Sequence, residues 1–228
     1  MPRIVFVPAF ACDEALYAPL AAALGPDFPS RTVVPAKRTM RECAEDVLEQ
    51  AGDGSFIVCG TSFGGHVARE LAFLAPDKVA GLVVMGAGAA APADPAPTDK
   101  RRAAIEAGRQ AEMLADMAES IVFEPEGRGR DAAETFRAIV ARATPELLLA
   151  QNEALATRPG RESGLSTIRM PSLMLWGEHD RFSPPSAGIA MAQAMPDAEF
   201  VLLPDCGHLP SLEKTDAVAA TIRRRFGA

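Results

Sequence analysis

The sequence predicts an α/β fold: a mostly parallel sheet of about six strands with helices on both faces, interrupted once by a helical insertion. Three observations lead there. Short apolar, β-branched runs alternate with segments of helical period. Across Gly60-Thr61-Ser62-Phe63-Gly64 the pattern switches from strand to helix within five residues. Residues 98–164 carry no strand signal at all.

In chain order, Arg3–Val7 is strongly apolar with little alternation, the mark of a buried parallel strand. Asp13 caps a predicted helix through Leu24, with Leu16, Tyr17, Leu20 and Leu24 on one face. Residues 32–34 read as a second short strand and residues 41–50 as an amphipathic helix. Gly52-Asp53-Gly54 then turns the chain into the strand at 56–59. After Ser62, Val67, Leu71 and Leu74 recur at helical intervals until Pro76.

Val79–Met85 is the next strand. The Gly86-Ala-Gly88-Ala-Ala-Ala91 that follows matches a dinucleotide fingerprint in form, but Pro92, Pro95 and Pro97 break the helix such a loop must open. It reads instead as the rim of a cleft and the hinge of an insertion. Within the insertion, Thr98 caps a predicted long helix to about residue 121, and Gly127-Arg-Gly129 breaks the chain. Residues 131–143 form a second helix, and Thr144-Pro145-Glu146 opens a third. Residues 171–176 resume the strand pattern, Ser183-Pro184-Pro185 starts a helix to about 195, and 199–203 is the last strand. An amphipathic helix over Thr215–Phe226 closes the chain. The expected division is a core of 1–91 with 165–228, and a helical cap of 92–164.

The chemistry of the strand-to-helix switch explains its residue types. A serine hydroxyl attacks only when a base takes its proton, so it must stand clear of its own backbone. A sharp turn does this, and it leaves no room for side chains two before and two after, hence Gly60 and Gly64. Gly65 lets the helix lie close to the sheet. This G-x-S-x-G, between strand and helix, resembles the nucleophile elbow of the α/β-hydrolase family. Relative to that family, the chain begins at what resembles its third strand, so a trimmed N-terminal edge is expected.

In a parallel sheet, ligand-directed side chains gather at the carboxyl ends of strands. Ser62, Asp180 and His208 stand at three such ends, in the order serine, acid, histidine that the family uses. His208 is the one histidine C-terminal to the acid loop, and Gly207 permits a tight bend before it. Glu178 and Asp205 rival Asp180, but Leu175-Trp-Gly177-Glu-His-Asp180 resembles the family's acid loop, with the aspartate three after the glycine. His66 is expected to pack beside the elbow helix, and His179 to point elsewhere. The resemblance implies an oxyanion hole of two backbone N–H groups: Phe63, and a donor after the first strand. That loop, Pro8-Ala9-Phe10, departs from the family's His-Gly-aromatic pattern, so Phe10 is the choice and Ala9 the fallback.

A serine nucleophile excludes the dehalogenase and epoxide-hydrolase branches, leaving esters, thioesters, lactones and C–C bonds next to a carbonyl. The expected activity is cofactor-independent hydrolysis of a carboxylic ester of a small to medium acyl substrate. The alternatives are a C–C bond hydrolase or lyase on the same triad, and a ligand-binding module without turnover. Arg101, Arg102, Arg137 and Arg158 of the cap are candidates to clamp a substrate carboxylate, against a reading as solvated surface charge.

At 228 residues the chain fits one domain with an insertion, and 48 % apolar and 23 % charged residues are ordinary for a globular protein. A net charge of −7 argues against nucleic acid or an anionic membrane as partner. No signal peptide or membrane-spanning run is read, and the four scattered cysteines are expected to be reduced in a cytoplasmic protein. Three dispersed histidines make no metal motif, so neither metal nor cofactor is expected. The expected state is a monomer or homodimer.

Overall fold

The computed structural model describes residues 3–227. The apolar runs become one sheet of six strands: β1 (Arg3–Val7), β2 (Ser30–Thr32), β3 (Phe56–Thr61), β4 (Val79–Met85), β5 (Ser172–Gly177) and β6 (Ala198–Leu203). Their order is β2-β1-β3-β4-β5-β6, and every neighbouring pair is parallel. Ile4, Val5, Ile57, Val58, Leu82, Val83, Leu173 and Met174 are fully buried. Burial on both faces is why these strands read as continuous apolar runs rather than alternating ones.

Helices cover both faces. α1 (Ala18–Leu24) packs on α10 (Thr215–Phe226), α2 (Met40–Ala51) on α3 (Phe63–Leu74), and α8 (Pro185–Ala194) lies on β5 and β6. Thr39 caps α2 through its hydroxyl, which accepts the Glu42 N–H.

The structure departs from the sequence reading where local chemistry competes with pattern. The strand expected at 32–34 lies at Ser30–Thr32, and only the Val33 N–H, bonded to Phe6 O at 2.9 Å, extends the ladder. Ser30 and Arg31 are exposed, as an edge strand permits, so the apolar Val33-Val34 pair pointed too far along. The helix expected after Asp13 is split. Asp13 caps a single 3₁₀ turn, Glu14–Leu16, and α1 starts afresh with Pro19 in its first turn, where a proline is tolerated. Leu16, Tyr17, Leu20 and Leu24 are nonetheless all buried.

Between β4 and β5 the described chain has no strand. The long helix expected from Thr98 to residue 121 is two: α4 (Ala96–Glu106) and α5 (Gln110–Ile121), parted at Gly108 with φ +70°. Thr98 lies inside the first turn of α4, its hydroxyl donating to Pro95 O. α6 (Arg130–Val140) and α7 (Pro145–Ala156) follow, with Thr144 capping α7 as expected. A short α9 (Pro210–Glu213), which the sequence reading lacked, precedes α10. Among the described residues, no helix is long and apolar enough to cross a membrane.

Candidate active site

The elbow is built by close approach. A Cβ on Gly60 would stand 2.0 Å from Gly64 O, and one on Gly64 would stand 1.9 Å from Val7 O. No side chain fits either gap, so β1, β3 and the start of α3 meet backbone to backbone. Ser62 is thrown into positive φ, at φ 53° and ψ −115°, and its N–H is held by Met85 O at 2.8 Å. Beneath it the buried Tyr17 hydroxyl donates to Val7 O at 3.2 Å, and Thr61 Oγ1 lies 2.7 Å from the Tyr17 hydroxyl oxygen. This fully buried network ties β1 to the end of β3.

Asp180, three residues past β5, and His208, five past β6, meet at the same edge of the sheet. His208 Nδ1 lies 2.7 Å from Asp180 Oδ2, and both side chains are almost wholly buried. Asp180 Oδ1 accepts the Phe182 and Ser183 N–H groups at 2.8 and 2.9 Å. The carboxylate is therefore fixed on one side by backbone and on the other accepts a hydrogen bond from Nδ1–H, leaving a lone pair on Nε2. Gly86, at φ +62°, backs this pair: a Cβ there would lie 2.8 Å from the imidazole and 3.0 Å from Asp180 Oδ2. The glycine-rich loop after β4 is thus shaped by the histidine and aspartate. The rivals lie apart: Asp205 pairs with Arg128 at 2.7 Å, and Glu178 lies beside His179, which stacks on Phe123.

Ser62 and His208 line one cavity of about 790 Å³, within the range of roughly 300–1,000 Å³ typical of small-molecule clefts. Among the described residues no hydrogen bond joins the Ser62 hydroxyl to the ring, a contact that commonly tightens only around substrate. Phe182 stacks on the His208 ring at 5.0 Å between centroids while staying exposed to solvent.

Phe63 opens α3, where the first N–H groups of a helix have no partner within it. In the loop after β1, Ala11 donates to Gln151 Oε1 at 3.0 Å and Cys12 to Ala9 O at 3.0 Å. Both N–H groups are therefore spent, which leaves those of Phe10 and Ala9.

Glu213 is a positioning group that sequence reasoning missed. Its Oε2 accepts from Phe123 N–H at 2.8 Å and Gly207 N–H at 2.7 Å, and its Oε1 from Leu209 N–H at 2.9 Å. The residues on either side of His208 are thereby clamped, and the His208 N–H itself donates to Ile121 O, the end of α5, at 2.8 Å. Gly207 is required for space more than for a bend, since a Cβ would lie 2.7 Å from Phe123 N. Burial raises the Glu213 carboxyl pKa, with the three N–H donors pulling the other way. A glutamate closing a four-residue helix right after a Gly-His was the available signal. Glu213→Gln turns one acceptor oxygen into a donor facing an N–H. It is expected to cost about 1–3 kcal/mol, read as a lower urea midpoint.

The cavity wall also holds His66, Arg101 and Arg158. Arg101 Nε donates to Asn152 Oδ1 at 2.8 Å with its guanidinium over the Phe10 ring, and Arg158 Nη1 donates to Leu155 O at 2.9 Å. Of the other candidate arginines, Arg137 pairs with Glu119 and Arg102 is exposed.

A family model described as the alpha/beta hydrolase fold matches residues 24–215. A 2-hydroxy-6-oxononadienedioate/2-hydroxy-6-oxononatrienedioate hydrolase of Pseudomonas sp is 31 % identical over 77 % of this chain. The chain spans 64 % of that relative, under two thirds of its length. A pimeloyl-[acyl-carrier protein] methyl ester esterase of Nitrosomonas europaea is 28 % identical, covering 92 % of this chain and 90 % of its own. Among solved structures, a thermophilic esterase from Thermogutta terrifontis, with malate bound, superposes with a TM-score of 0.88 at 27 % identity. That match covers 98 % of this chain and 89 % of the esterase.

Proposed function

The chain belongs to the α/β-hydrolase fold family, and from that membership we propose a serine hydrolase that cleaves a carboxylic ester of a small to medium acyl substrate. Ser62, His208 and Asp180 are its triad. The observation that carries this reading is the His208–Asp180 pair, opening on the cavity that also holds the strained Ser62. In it, Ser62 Oγ attacks the ester carbonyl carbon while His208 Nε2 takes the hydroxyl proton. Asp180 holds the imidazole tautomer and stabilises the imidazolium. The oxyanion is met by the N–H groups of Phe63 and Phe10. His208 returns the proton to the departing alkoxide, leaving an acyl group on Ser62. Water, deprotonated by the same imidazole, then attacks the acyl carbon and frees the acid and the serine. Residues 92–164 serve as the cap over this cleft.

A second reading keeps the triad and changes the bond, to C–C cleavage next to a carbonyl. The half-buried Arg101 and Arg158 on the cavity wall favour it, as does the Pseudomonas relative, named for an oxo-dienedioate. A fluorophosphonate probe is expected to label the folded protein once, at Ser62, read by intact mass and peptide mapping. Failure to label would sink both readings; with Ser62 labelled, a panel of esters and vinylogous diketones separates them.

A further inference from the structure

His66 and Arg69 form a polar device that the triad does not use. Arg69 is buried, donating from Nη1 to Ala87 O at 2.9 Å and from Nη2 toward His66 Nδ1 at 2.9 Å. A guanidinium has donors only, so His66 Nδ1 must accept, and the neutral ring carries its proton on Nε2. Enclosure by protein, and then the charges of Arg69, Arg158 and His208, push the His66 pKa well down, so the ring stays neutral. His66 thus presents a fixed N–H on the wall it shares with Ser62.

Arg101 and Arg158 stand on the same wall, close enough that Arg158's charge lowers the Arg101 pKa after burial has done so. Among the described residues their hydrogen-bond partners are neutral oxygens, and Arg158 Nε is buried with no partner. The carboxylates lining the cavity, Asp94 and Glu162, are exposed, and Asp94 is spent accepting the Ala96 N–H. Arg161 is instead bound by Glu70. Two half-buried cations and a neutral N–H therefore face a cleft with no buried anion to meet them, an arrangement that an entering carboxylate would relieve.

We propose that Arg158, Arg101 and the Nε2–H of His66 form an anion subsite that takes a free carboxylate at the far end of the substrate, with Arg69 positioning His66. The proposal deepens the ester-hydrolase reading: the favoured substrate is the hemi-ester of a dicarboxylic acid, cleaved at the ester and held by the acid.

The test uses the full chain with two esters of equal length, mono-p-nitrophenyl adipate and neutral p-nitrophenyl hexanoate. Wild-type kcat/KM is expected to favour the hemi-ester by about 10–100-fold, the worth of one or two charge-assisted hydrogen bonds. Arg158→Gln, and independently Arg101→Gln should the first not fold, is expected to collapse that preference, mainly through KM for the hemi-ester. Adipate binding, measured by calorimetry without turnover, is expected to weaken by the same order in either variant. Equal kcat/KM for the two esters in the wild type, or adipate affinity unmoved by both substitutions, overturns the subsite. Turnover of neither ester, with adipate still bound through Arg158, leaves the subsite standing and removes the ester-hydrolase reading instead.

Discussion

Ser62→Gly is expected to lower kcat for ester cleavage by about 10⁴–10⁶ while making the protein harder to unfold. The two effects have one source. Ser62 sits at φ 53° and ψ −115°, a conformation that costs a residue with a Cβ about 1–3 kcal/mol. Glycine adopts it without that cost, and its extra freedom in the unfolded chain returns only about 0.4–1 kcal/mol. A gain of about 1 kcal/mol raises the thermal midpoint of a chain this size by about 2–4 °C. Steady-state kinetics on an activated ester and a thermal melt check both halves. Residual activity near wild type would take the nucleophile away from Ser62, and a lower melting point would take the strain away from the elbow.

Asp180→Asn is expected to cost about 10⁴ in kcat with the fold intact. An asparagine keeps its carbonyl oxygen where Asp180 Oδ1 accepts the Phe182 and Ser183 N–H groups, because those two donors decide the amide's orientation. Its NH₂ then faces His208 Nδ1. The ring must answer with a lone pair on Nδ1 and its proton on Nε2, the wrong tautomer for a base. The loss should fall on kcat far more than on KM, since Asp180 lies behind the ring and away from the acyl group. A circular dichroism spectrum like that of the wild type would exclude global misfolding.

How far residues declare their role depends on whether one local pattern has one physical meaning. The central strands were legible because burial on both faces leaves only an apolar run. The elbow was legible because two glycines around a serine, between strand and helix, answer to a clash of backbone with backbone. Three strand ends offered Ser62, an acid and His208, and resemblance to the family's acid loop singled out Asp180; the structure places Asp180 against His208 and puts Ser62 and His208 in one cavity. Gly108 hid inside a helical pattern, because one glycine in a helix is usually tolerated and only its φ shows the break. Arg101 and Arg158 were legible only as two of four candidate arginines, because among interleaved glutamates a cation facing a cleft looks like one facing solvent. Glu213 hid for another reason. Its three partners are backbone N–H groups, which no sequence names, and one of them lies ninety residues away.

The bond from the His208 amide to the last carbonyl of α5 ties the loop that carries the imidazole to a helix of the segment between β4 and β5. A displacement of the end of α5 therefore reaches the backbone of His208 directly.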